Sequence, residues 1–269
     1  MSRISQTFSE LKQNGRKALV AYIVNGDPTR EATLPAMHKM VEQGVDIIEL
    51  GVPFSDPMAE GPVIQKGHER ALEHHVSLTD TMAVVAEFRK TNQSTPVLLM
   101  GYANPVERMG YSVFADKAEA AGVDGLLTVD LPLEELTDLK RELDSRDIDN
   151  IFLLAPTTRV ERARDIAANA SGFLYYVSLK GVTGAGHLDV DSVKQKLTEF
   201  GALTELPMCV GFGIKDATSA KSVAVLADGV VIGSVLVDAM GKAQGQTPDQ
   251  IAEAVGAIIS DIRQALDSL

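Results

Sequence analysis

The sequence predicts one (β/α)8 barrel with an extra N-terminal helix, a single domain over residues 1–269. Three observations predict it. Eight short runs rich in β-branched and other apolar residues recur along the chain. Amphipathic segments lie between them, and no Gly/Ser-rich, Pro-rich or low-complexity linker divides the sequence. Alternating strand and helix implies a parallel sheet with right-handed crossovers, and eight such units favour closure over the alternative, an open doubly wound sheet.

The opening segment, 5–13, sets Phe8 and Leu11 on one side and suits a plug for the N-terminal end of the barrel. The first run, 18–24, is apolar almost throughout, as a strand buried on both faces should be. Leu34, Met37 and Val41 follow at i, i+3 and i+7, and Gly44 supplies a helix stop. The remaining runs are 45–51, 96–100, 125–129, 150–154, 173–178, 208–211 and 229–232. Near the end, Ile251, Val255, Ile258, Ile259, Ile262 and Leu266 form one apolar stripe, with Asp249, Asp261 and Arg263 off it.

Composition narrows the function. The 269 residues carry 25 basic and 37 acidic side chains, a formal charge of −12. No Lys/Arg cluster is present to release counterions from a phosphate backbone, which argues against a nucleic-acid partner. No apolar run approaches the roughly 18 residues of a membrane helix. Residues Met1 to Phe8 show neither an h-region nor a small-residue cleavage site, so a cytoplasmic protein is expected. The lone Cys209 excludes an internal disulfide and any multi-cysteine metal site, and its apolar run makes it a buried structural thiol. The five histidines, among them His38, His68, His74, His75 and the isolated His187, make no metal-ligand spacing with a carboxylate.

In a barrel of this kind the chemistry sits at the C-terminal ends of strands and in the loops that follow. Glu49 interrupts the second run near that end. Alternation puts Ile48 and Leu50 on one face and Ile47, Glu49 and Gly51 on the other, so Glu49 points into the barrel mouth if Ile48 and Leu50 pack on helices. An unpaired carboxylate there has a raised pKa, which suits general acid/base work. The competing reading is a Glu satisfied by a cation across the barrel, and no other run offers an inward Lys or Arg. The loop beyond, with Pro53, Asp56, Pro57, Glu60, Gly61 and Pro62, is restrained enough for a docking surface or a second catalytic carboxylate. An ordinary solvated loop is the plainer reading of Asp56 or Glu60 taken singly.

Gly211-Phe212-Gly213 follows the seventh run, and Gly233-Ser234 follows the eighth and leads into Val235-Leu236-Val237. Glycines admit an anion to the backbone, and a helix start presents free N–H groups at its positive end. Loops seven and eight are the recurrent phosphate site of this fold. Backbone dipoles would also hold an anion in a chain of charge −12. Residues 178–187, with Lys180, three glycines and His187, read as a mobile lid or a plain surface loop. Asp130 ends the fourth run as either a catalytic group or a partner for neighbouring backbone.

Together these segments resemble the tryptophan synthase alpha subunit family over nearly the whole chain. Gly26-Asp27-Pro28, the stretch from Glu49 through Val52-Pro53-Phe54-Ser55-Asp56-Pro57, Gly61-Pro62 with Ile64-Gln65, and Tyr102-Ala103-Asn104-Pro105 carry the likeness. So do Asp130-Leu131-Pro132, Gly181-Val182-Thr183-Gly184 and Gly211-Phe212-Gly213-Ile214. The resemblance implies a TIM-barrel lyase that cleaves indole-3-glycerol phosphate to indole and glyceraldehyde 3-phosphate without a cofactor of its own. It implies an α2β2 heterotetramer in which indole passes to a pyridoxal-phosphate-dependent beta subunit.

By that likeness Glu49 is the catalytic acid/base, and Glu60 is the second carboxylate, relaying the indole N–H proton. Phosphate falls to Gly184, Gly213, Gly233 and Ser234. Substrate packing falls to Tyr22, Met100, Tyr102, Tyr175, Phe212 and Ile232, with Thr183 reaching from the lid toward Glu60. Asp56, Asn104 and Pro132 fall on the beta-facing surface. The family's usual residues at positions 22 and 100 are Phe and Leu, and at position 60 Asp, so Glu60 carries its charge one methylene further out. Two other classes stay in view: another phosphate-binding barrel isomerase or synthase, and a regulatory or scaffolding subunit with weak chemistry.

Overall fold

The computed structural model describes residues 2–177, 190–211 and 213–269. The 178–187 segment, with Thr183 and Gly184, and Phe212 lie outside the described residues. In chain order the elements begin with α1 (Arg3–Gln13), β1 (Ala18–Val24), α2 (Thr33–Glu42), β2 (Ile47–Gly51), α3 (Pro62–Glu73), α4 (Leu78–Arg89) and β3 (Val97–Gly101). Next are α5 (Ala103–Met109), α6 (Tyr111–Ala121), β4 (Gly125–Thr128), α7 (Thr137–Asp144), β5 (Asp149–Asn150), β6 (Phe152–Leu154) and α8 (Val160–Asn169). The rest are β7 (Leu174–Val177), α9 (Val190–Gly201), β8 (Met208–Gly211), α10 (Ala217–Ala224), β9 (Gly229–Ile232), α11 (Ser234–Lys242) and α12 (Pro248–Asp267).

All strand pairs are parallel, in the order β5-β4-β3-β2-β1-β9-β8-β7-β6. The expected fifth strand is split. Its first half, β5, pairs with β4, and its second half, β6, pairs with β7. Between them Ile151 still donates its N–H to Leu126 O at 2.9 Å. One extended run therefore hands its hydrogen bonds from one neighbour to the other, and the sheet closes as a ring of eight positions. That closure removes the open doubly wound alternative.

Two apolar layers follow from the period-2 alternation of each strand. Ile48, Leu50, Leu99, Val210 and Val230 face outward into the shell where the helices pack. Val20, Ile47, Leu98, Leu127, Cys209 and Val231 fill the barrel interior. Ile4, Phe8 and Leu11 of α1 close its N-terminal end, with the Phe8 ring 5.7 Å from that of Phe173. Asp124, nearly fully buried, accepts from Arg3, from Arg89 and from the Val97 N–H, fastening this plug to β3 and β4.

Arg263, expected off the apolar stripe of α12, is buried, and its guanidinium pairs with Asp46 at 3.1 Å and Asp267 at 2.6 Å. Its methylenes cover apolar surface while the head group finds carboxylates, so a burial pattern built on apolar residues passes over it.

Candidate active site

At the C-terminal end of the barrel a cavity of about 290 Å³ is lined by Tyr22, Glu49, Glu60, Gly61, Pro62, Val63, Ile64, Met100, Tyr175, Gly213, Ile214, Val231, Gly233 and Ser234. Glu49 reaches it because β2 alternates: Ile48 and Leu50 pack outward and Glu49 points in, in register with Tyr22 of β1 and Leu98 of β3. Glu49 is 1% exposed, and its Oε1 has no hydrogen-bond partner. Burial first, and then the charge of Glu60, push its pKa up to about 8. Among the described residues no cation is paired with Glu49.

Glu60 stands at the end of the β2–α3 loop, also buried. Its Oε1 accepts from the Tyr102 hydroxyl at 3.5 Å, a long contact. Burial raises its pKa to about 7, opposed by that hydrogen bond. The Tyr102 oxygen in turn accepts from the Ala59 N–H at 3.1 Å, and its ring stacks on Phe54 at 4.8 Å. Tyr102 is thus a support for Glu60 and does not line the cavity itself.

Two glycines make room for the tyrosines. A Cβ on Gly51 would overlap the Tyr22 hydroxyl, and one on Gly211 would overlap that of Tyr175. Each glycine lies two positions beyond the register partner of its tyrosine, at Glu49 and Cys209 respectively. Both phenols are thereby accommodated in the barrel mouth, where burial first and then the charges of the two carboxylates push their pKa values up.

α11 begins at the wall of the same cavity. Leu236 and Val237 donate to Gly233 O at 2.8 and 3.1 Å, so the helix starts there, and its first N–H groups have no partner within the helix. Gly213 holds φ +80°, a conformation that few side chains tolerate. These are the features of an anion cradle.

Ile232, expected in the pocket wall, is buried in the outer layer with Val230, and Val231 is the β9 residue that lines the cavity. A one-residue shift along a strand exchanges the two faces. Asp56, Asn104 and Pro132 are all exposed, Asp56 and Pro132 in the loops after β2 and β4 and Asn104 in the first turn of α5, which follows β3 directly. Those segments are joined by the Phe54–Tyr102 stack and by a 2.7 Å hydrogen bond from the Ala103 N–H to Asp130 Oδ1, which gives Asp130 a backbone role. Cys209 is buried and free.

Sequence reasoning missed the weight of His68. It lies on the buried face of α3 with Gly67 and Ala71. The Phe54 N–H donates to its Nδ1 at 3.1 Å, and its Nε2 stands 3.3 Å from the Tyr22 hydroxyl. The available signal was its spacing, since a histidine at i+4 from Ile64 falls on the apolar stripe. Among the described residues, no group of three His, Cys, Asp or Glu is placed to hold a metal ion. No described helix is long and apolar enough to cross a membrane.

Comparison with known proteins decides the family. The family model described as tryptophan synthase alpha chain matches residues 8–266. The chain belongs to that family. The tryptophan synthase alpha chain of Marinobacter nauticus is 54% identical over 269 residues, covering 100% of this chain and 99% of the relative. That of Thioalkalivibrio sulfidiphilus is 55% identical over 267 residues, covering 99% and 100%. The crystal structure of the tryptophan synthase alpha subunit from Legionella pneumophila superposes with a TM-score of 0.92 at 44% identity, covering 100% of both chains. Members of the tryptophan synthase alpha family are the lyase half of tryptophan synthase, so the isomerase and scaffold readings lose their footing.

Proposed function

We propose that this chain cleaves indole-3-glycerol phosphate to indole and glyceraldehyde 3-phosphate, with Glu49 and Glu60 as its two catalytic carboxylates. The observation that carries the assignment is a buried Glu49 with an oxygen that no described residue partners, held protonated near neutral pH in a cavity that a helix N-terminus also lines. Glu49 gives its proton to the indole carbon that bears the glycerol chain. Glu60, more acidic and supported by Tyr102, accepts the ring N–H proton as positive charge develops there. The Glu49 carboxylate then takes the proton of the adjacent glycerol hydroxyl. The carbon–carbon bond breaks, its electron pair returns to the ring, and the aldehyde leaves. The proton comes back from Glu60 to nitrogen, so no cofactor is consumed.

The phosphate is assigned to Gly213, Gly233 and Ser234, with Gly184 from the 178–187 segment. Binding energy gained there orients the reacting bond against the carboxylates. Tyr22, Met100, Tyr175 and Val231 form the wall for the indole ring, with Phe212 and Thr183 assigned by family likeness. Residues 1–269 act as one cytoplasmic domain in this reading. Asp56, Asn104 and Pro132 face the beta subunit, which carries pyridoxal phosphate. Indole release from indole-3-glycerol phosphate, measured for the chain with and without a beta subunit, tests the proposal. Release by the chain supports it, and its absence in both settings rejects it.

A further inference from the structure

We infer that His68 is a positioning residue for Glu60, stapling the β2–α3 loop to the barrel wall through Phe54 and Tyr22. One imidazole joins three elements. It stands on α3, accepts from the Phe54 backbone at the start of the loop, and meets the Tyr22 hydroxyl of β1. Glu60 lies in the stretch of chain between Phe54 and His68, so the staple fixes both ends of the segment that carries it. Glu60 also has the 3.5 Å contact with Tyr102, a 2.9 Å hydrogen bond from Gln65 Nε2 to its carbonyl and a 3.0 Å hydrogen bond from its own N–H to Pro57 O.

The hydrogen-bond directions are determined. A backbone N–H can only donate, so Nδ1 is the acceptor and the neutral ring carries its hydrogen on Nε2. Burial holds the ring neutral, drawing its pKa down to about 4. Nε2–H therefore donates to the Tyr22 oxygen, which leaves the phenol hydrogen free. A Phe at position 22 would offer no such anchor. α3 itself is well seated to serve as the fixed point. Arg70 grips the buried Asp27 with two hydrogen bonds, of 2.6 and 2.9 Å, and Gly67 lies so close to Val237 of α11 that a Cβ would meet it at 2.8 Å.

The inference rests on the reading of Glu60 as catalytic, and the test separates the two. kcat and KM for indole release are measured for His68→Ala, His68→Asn, Tyr22→Phe, Glu60→Gln and the double variant His68→Ala/Glu60→Gln. Loosening the loop should misplace Glu60 without disturbing the phosphate grip. His68→Ala should then lose about tenfold or more in kcat with KM within about twofold, since a 1 Å shift costs up to about 100-fold. His68→Asn, whose amide oxygen can replace Nδ1 toward Phe54, should recover most of it. Tyr22→Phe removes one oxygen and keeps the packing, so it gives a smaller fall in kcat even if His68→Ala fails to fold. The double variant should be no slower than Glu60→Gln alone. Parental kcat in both His68→Ala and Tyr22→Phe, a loss confined to KM, or a further loss in the double variant would overturn the inference. A parental rate in Glu60→Gln would instead remove the reading of Glu60, and this one with it.

Discussion

The Tyr102 hydroxyl donates to Oε1 of Glu60 at 3.5 Å, whereas no described residue donates to Oε1 of Glu49. Deeper burial, the charge of Glu60 and the lack of such a contact make Glu49 the weaker of the two acids. Both are raised by desolvation, to about 8 for Glu49 and about 7 for Glu60. The reaction needs Glu49 protonated and Glu60 ionised at its start, and that combination is most populated between the two values.

The pH dependence of kcat/KM should accordingly be a narrow bell. The pair titrates in two steps, near pH 7 on the acid limb and near pH 8 on the alkaline limb. Tyr102→Phe removes a contact that lowers the Glu60 pKa, so its acid limb should move to higher pH and the bell should narrow. An acid limb unmoved in Tyr102→Phe would separate Glu60 from that limb.

Stability should report the same buried acid. The folded pKa of Glu49, about 8, lies above the unfolded value of 4.5, so the folded state binds more protons between them. Stability is then lost as pH rises through that window, by about 3 kcal/mol between pH 4.5 and 7 from this group. Glu49→Gln cannot titrate, and its advantage over the parent should grow by about that much on going from pH 4.5 to 7. Urea denaturation at both pH values checks it, and parallel curves would mean that Glu49 is ionised in the folded protein.

At the phosphate cradle, Gly213→Ala should weaken a phosphate-bearing substrate analogue more than its dephosphorylated counterpart. Its φ of +80° strains any Cβ, and relief of that strain draws the backbone off the anion. Titration calorimetry with both ligands separates the cases. Equal losses would point to a general pocket defect.

Most of the fold was legible in the sequence because strands buried on both faces leave uninterrupted apolar runs. The runs 18–24, 208–211 and 229–232 match β1, β8 and β9 residue for residue. The break at Ile151 was not legible, since it comes from a strand changing neighbours, and composition does not register that. Glu49 announced itself as an acid near the C-terminal end of an apolar strand. His68 did not, because a buried histidine's partners, a backbone N–H and a phenol 46 residues away, are set by tertiary packing alone. Ile232 was misread for a smaller reason: both β9 neighbours are aliphatic, and only the register of closure says which one faces inward.

Position 60 separates a fitted loop from a tolerated flaw. Glu60→Gln should remove most activity, because the proton relay loses its acceptor. Glu60→Asp should also slow the chain, by up to about 100-fold, since a loop held for Glu leaves Asp about 1 Å short. Indole release by both variants, alone and with a beta subunit, decides it. A gain from Asp would show that the loop is not fitted to the longer side chain.

The most direct test of the central claim is indole release by Glu49→Gln. Binding of a substrate analogue should stay within a few-fold of the parent, because proton transfer matters in the transition state and adds little to ground-state affinity. The rate should fall by about 10²–10⁴-fold or more, the usual worth of a positioned general acid/base. A Glu49→Gln enzyme that turned over near the parental rate would make Glu49 a structural acid and contradict the mechanism.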